Sequence, residues 1–134
     1  PFVSRPFATM EMGGGVEHPI RGVERHFKVV EELKQAVPKM IFIGSGYSWL
    51  RNYSLNAAAH NIQNGSVDVV GWGRMAIANS GFPLEAYRKG TISPKRVCTA
   101  CSSCIKLLRF ETRVGCVVHD EKARQRFQKI RIGE

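Results

Sequence analysis

The chain has 134 residues, 43% hydrophobic and 23% charged, which suits one domain with a packed core and excludes a disordered or low-complexity chain. Its net charge of +9, from 20 Lys and Arg against 11 Asp and Glu, fits an anionic partner of some kind. Much of the excess lies singly between Arg88 and Arg131, without a dense block or interleaved aromatics, which argues against a direct nucleic-acid site. No apolar run approaches the roughly 20 residues of a membrane span and no signal peptide is visible, so a cytoplasmic chain is expected.

Residues 1–17, with two prolines and Gly13-Gly14-Gly15, carry neither a helical nor a strand period and read as an extended loop or lead-in. From Pro19 the pattern changes. Val23, Phe27, Val30, Leu33 and Val37 fall at helical spacing with charges on the other faces, and Pro38 stops the helix. Lys39 to Ile43 reads as a strand running into Gly44-Ser45-Gly46. A helix over Trp49 to Asn64 follows, with Leu50, Leu55, Ala58, Ala59 and Ile62 inward and Gly65 as its stop. Val67 to Val70 is a second strand, and Pro83 to Lys89 a short helix closed by Gly90. This helix–strand alternation over residues 18–93 predicts a parallel sheet with crossover helices, hence an α/β fold. Two strands make no stable sheet alone, so the chain reads as part of a larger α/β body.

The second strand enters Gly71-Trp72-Gly73-Arg74. Glycines allow close backbone approach, bare N–H groups accept an anion, and Arg74 offers a planar fork of donors. Both strands end in such turns, at the same carboxyl edge of a parallel sheet and about one βα unit apart, which points to a phosphate site. All four cysteines follow in residues 94–134: Cys98-x-x-Cys101-x-x-Cys104, then Cys116 after eleven intervening residues. Three cysteines in a tight turn with a fourth returning suit zinc or an iron–sulfur cluster, while C-x-x-C pairs also serve as redox thiols or disulfides. His119, three residues past Cys116, is a spare nitrogen ligand or a surface residue. A C-terminal helix completes this extension.

I-F-I-G-S-G-Y, V-D-V-V-G-W-G-R-M-A-I-A-N, R-V-C-T-A-C-S-S-C and G-C-V-V-H-D stand in this order over residues 41–120. Together they resemble the C-terminal part of the old yellow enzyme family of FMN-dependent NADH:flavin oxidoreductases, in the branch of 2,4-dienoyl-CoA reductase and trimethylamine dehydrogenase. E-H-P-I-R-G-V-E-R-H, before the first helix, is similar to a segment of one subgroup. The resemblance implies the end of a (β/α)₈ TIM barrel, with strands 7 and 8 at Lys39–Ile43 and Val67–Val70. By position, Ser45 and Gly46 would give N–H groups to the FMN phosphate, Gly73 and Arg74 would complete the clamp, and Gly71 would let the backbone pass close to the cofactor. Trp72 would pack in the barrel wall.

The same resemblance implies an ene-reductase that takes electrons from NAD(P)H and reduces an enone or enoyl-type substrate. Cys98, Cys101, Cys104 and Cys116 would hold a 4Fe–4S cluster. The reductase branch spaces these cysteines C-x2-C-x3-C-x11-C, whereas the middle gap here is two residues; the cluster stays the first expectation, zinc the second and bare thiols the third. The family's catalytic groups lie on earlier strands outside these residues, so none is named here. The missing strands are expected in cis or from another chain, and the open apolar edge at Lys39–Ile43 predicts association, including with a second copy. Two other readings stand beside this one: a small basic zinc-binding module that contacts nucleic acid, and a half-barrel scaffold subunit.

Overall fold

A computed structural model describes residues 18–110 and 113–132; the lead-in expected over residues 1–17 lies outside them. Helix α1 (Pro19–Ala36) starts where His18 Nδ1 accepts the Ile20 N–H at 3.3 Å and Pro19 presets the first backbone angle. It ends at Val37, whose N–H reaches Leu33 O at 3.0 Å before Pro38 blocks a further turn. Val23 is buried, but Leu33 and Val37, expected inward, are 50% and 44% exposed.

The sheet is a parallel pair, β1 (Ile43–Gly44) with β2 (Val69–Val70), in the register Ile43 to Val69 and Gly44 to Val70. Both strands are shorter than expected. A strand needs a hydrogen-bonded neighbour for its whole length, and each of these has one neighbour over two residues. Lysine 34 ties the pair to α1: Lys34 Nζ meets both Asp68 carboxylate oxygens at 2.8 and 2.7 Å, and Asp68 Oδ2 takes the Phe42 N–H at 2.8 Å.

The single helix expected over Trp49–Asn64 is two pieces. A 3₁₀ helix (Tyr47–Tyr53) breaks at Arg51, with φ 55° and ψ −127°, and α2 (Ser54–Gln63) continues from it. Ala58 is buried as expected, whereas Ala59 and Ile62 face outward. The helix ends at Asn64, and Gly65 follows in the left-handed region at φ +71°, where glycine is at ease. A further short helix, α3 (Gly73–Ala78), carries no sequence signal long enough to be read. Then α4 (Phe82–Lys89) matches its expected span, closed by Gly90 at φ +64°.

Met75, Phe82, Ile92, Val97 and Cys98 form a core, with Trp72, Leu55, Ala78 and Ala86 packed against it. Beyond it, α5 (Ser103–Arg109) lies against α6 (Glu121–Ile132), with Leu107 and Ala123 fully buried. Asp120 caps α6 by accepting the N–H groups of Lys122 and Ala123 at 2.9 and 3.3 Å. The described residues thus form a mostly helical α/β structure with six α-helices and a two-stranded parallel sheet; the barrel expected from the resemblance is not formed by them. No helix among them is long and apolar enough to cross a membrane.

Candidate functional site

Parallel pairing of β1 and β2 places their two glycine turns side by side, joined by the Gly71 N–H to Gly44 O at 2.8 Å. The glycines of these turns do different things. A Cβ on Gly44 would meet Val67 Cγ1 at 2.9 Å and Tyr47 Oη at 3.0 Å, and one on Gly71 would meet Gly44 O at 3.3 Å. Both are required by the packing of the strands themselves. Gly46 sits at φ +91°, which an L side chain rarely adopts. Gly73 alone of the four has ordinary backbone angles and nothing within 4 Å of an added Cβ, so its bareness leaves open space over the turn.

The N–H groups of Ser45, Gly46 and Gly73 meet no acceptor among the described residues. Ser45 Oγ shares a 2.8 Å hydrogen bond with His26 Nε2 of α1. Burial holds the His26 imidazole below its ordinary range. His26 is a site residue that sequence reasoning missed. It lies nineteen residues from Ser45, and only its place at the end of the E-H-P-I-R-G-V-E-R-H segment hints at it.

Tyr47 supports both turns from beneath. Fully buried, it stacks on Phe27 at 4.7 Å between ring centres and leans on Trp72 at 5.8 Å. Its Oη accepts from Asn61 Nδ2 at 2.8 Å; burial pushes the hydroxyl's pKa up, partly offset by that bond. Trp72 packs edge-on against Phe82 at 5.5 Å, between the two turns' scaffold and the core. Ser48 Oγ accepts the Met75 N–H at 3.1 Å and locks α3 to the 3₁₀ helix. Tyr53 and Tyr87, by contrast, are 72% and 89% exposed.

Arg74 leaves the glycine turn for the cysteine loop. Its Nη1 donates to Ser102 Oγ at 3.4 Å, and its charge acts on the Cys98 and Cys104 thiols. None of the four cysteines is in a disulfide; Cys98 and Cys104 are buried, Cys101 is exposed and Cys116 lies between. Burial pushes the Cys98 and Cys104 thiols up. Charge on Cys101 or Cys116 pushes them up as well, whereas the Arg74 charge draws them down. Burial also raises Cys101, but the Ser103 N–H, the Ser103 and Thr99 hydroxyls and its own N–H outweigh it and hold the thiol below its usual range.

Backbone at Ala100 and Ser102 takes positive φ, 58° and 63°, which folds the loop back on its own sulfurs. The Ala100 N–H reaches Cys98 Sγ at 3.4 Å, and the Ser103 N–H serves Cys101 in the same i to i+2 relation. N–H groups aimed at sulfur favour thiolate over thiol, which suits a metal-binding set. As placed, no three His, Cys, Asp or Glu side chains among the described residues are close enough together to hold a metal ion. The donor chemistry therefore fits a thiolate-bound group, and the sulfurs would have to draw closer to hold one. His119 Nε2 is 2.9 Å from Val97 O, so that nitrogen is a donor to the backbone and not a ligand.

Comparison with known proteins finds no matching family model, no matching curated protein and no matching solved structure.

Proposed function

We propose that this chain supplies the FMN-phosphate site and a cysteine cluster to an FMN-dependent NAD(P)H oxidoreductase of the old yellow enzyme type. The observation that carries the reading is the pair of adjacent glycine turns at one end of a parallel strand pair, with three N–H groups that meet no acceptor among the described residues and open space at Gly73. Ser45, Gly46 and Gly73 would hold the phosphate, with Gly71 keeping the two strands close enough to present both turns. His26 shares a hydrogen bond with the Ser45 hydroxyl at the edge of the first turn. Arg74 adds positive charge between the turns and the cysteine loop, where it also holds Ser102. When bound, FMN supplies hydride transfer to an activated C=C bond, with electrons from NAD(P)H.

Cys98, Cys101, Cys104 and Cys116 would hold a 4Fe–4S cluster, or zinc in its place, and Arg74 would sit beside its charge. Groups that polarise the substrate belong to earlier barrel strands, in cis or from another chain. Met40, Ile41 and Ile43, at 57%, 73% and 66% exposed, are the apolar surface those strands would cover.

Titrating FMN and riboflavin into the chain, read by flavin fluorescence, tests the phosphate site. FMN should bind more tightly than riboflavin. Arg74→Ala, which removes positive charge near the turns, should weaken FMN several-fold and leave riboflavin unchanged. Equal affinity for the two flavins in the parent chain would remove the phosphate-site assignment.

A further inference from the structure

A cleft of about 480 Å³ opens between the first turn of α1, the broken 3₁₀ helix and the cysteine loop. None of Ser45, Gly46, Gly71, Gly73 or Arg74 lines it, so it is separate from the glycine turns. Its volume lies in the range of small-molecule sites. The walls are apolar and aromatic: Ile20, Trp49, Leu50 and Tyr53, closed on one side by Ala100. Tyr53 is 72% exposed and Ile20 42% exposed, large side chains left uncovered around one concavity. Trp49 meets the His18 ring edge-on, with 6.2 Å between ring centres.

The single charge in the lining is Arg51, and no acidic side chain accompanies it. Its guanidinium has no hydrogen-bond or ion-pair partner among the described residues. Its backbone, at φ 55° and ψ −127°, is a conformation in which glycine would be at ease and an arginine is strained. Strain of this kind persists where the surroundings hold it, and it clusters at ligand clamps. Here it puts a cation in the lining of a cleft that Trp49 and Tyr53 also line.

We infer that the cleft binds a mononucleotide, with the base against Trp49 and Tyr53 and the phosphate at Arg51. Flat rings stack on aromatic faces at little entropic loss, and a guanidinium matches a phosphate with paired donors. A purely apolar ligand would leave Arg51 unused, and a bare anion would leave the aromatic walls unused. The inference is independent of the flavin reading.

Isothermal titration of the chain with AMP, adenosine and ribose 5-phosphate tests it. AMP should bind saturably at one per chain, and each half-ligand at least about tenfold more weakly, since each lacks one of the two anchors. Tyr53→Ala, at an exposed position, should weaken AMP several-fold with no change in the urea midpoint. Arg51→Gly should weaken AMP about tenfold, the loss of one charged contact, and raise the urea midpoint by relieving the backbone. Absence of saturable AMP binding would overturn the inference, as would Arg51→Gly binding AMP like the parent.

Discussion

Replacing Gly44 by alanine tests whether the first glycine turn is held by packing from below. The added methyl carbon would lie 2.9 Å from Val67 Cγ1, 3.0 Å from Tyr47 Oη and 3.2 Å from Tyr47 Cε2. Contacts under 3.0 Å require something to move, and neither neighbour moves easily. Val67 is buried, with a β-branched side chain of few rotamers. Tyr47 is fully buried, stacked on Phe27 and hydrogen-bonded to Asn61. Overpacking of this kind costs about 1–3 kcal/mol. With a urea slope of about 1–3 kcal/mol per molar, a 2 kcal/mol loss lowers the midpoint by about 1 M. Equilibrium urea unfolding followed by tryptophan fluorescence reads this directly. The source of the strain is separable: in a Val67→Ala background the nearest clash is gone, so the added effect of Gly44→Ala should fall by at least half. A Gly44→Ala chain as stable as the parent would refute the close-packed turn, and an undiminished effect in the Val67→Ala background would refute its cause.

Tyr47→Phe should destabilise by about 1–3 kcal/mol, because it leaves the buried Asn61 amide without its acceptor; thermal unfolding against Tyr53→Phe, an exposed control, isolates the effect. Asp68 gives a pH dependence: its hydrogen bonds from Lys34, then from the Phe42 N–H, hold its carboxyl below the usual range. The stability it adds is present above the unfolded value of about 3.9 and is lost as pH falls through the lower folded value. Urea midpoints measured between neutral and strongly acidic pH should therefore fall less steeply in Asp68→Asn, and parallel profiles would refute the assignment. Metal analysis of protein purified without oxygen should find iron with acid-labile sulfide, or zinc, and Cys104→Ser should abolish it; a metal-free parent chain would leave the cysteines as thiols.

Where local chemistry decided the structure, the elements could be read in advance. Pro19 and Pro38 bracket α1, Pro83 and Gly90 bracket α4, and Gly65 follows the end of α2. Each of these residues restricts or frees its own backbone angles, and no distant partner is needed for that. The break at Arg51 was illegible for the opposite reason: an arginine by its type announces no turn, so nothing local marks the φ of 55° it takes. The strands were read too long because β-propensity describes residues, while strand length depends on which neighbour supplies hydrogen bonds. The candidate site divides in the same way. The glycines and cysteines stand out by type and spacing, yet His26 beside Ser45 and Arg74 beside Ser102 join residues 19 and 28 positions apart.

From sequence alone came the α/β class, the alternation of helices with two short strands, and the glycine turns that follow those strands. These follow from residue type and spacing, which act over a few bonds or a few turns. Tertiary structure decided which glycine serves what. Gly44 and Gly71 are consumed by strand packing and Gly46 by a left-handed turn, while Gly73 remains open. It also decided where Arg74 points and placed Arg51 at the edge of an aromatic cleft. Those outcomes depend on where a side chain's long-range neighbours stand, and no local pattern encodes that.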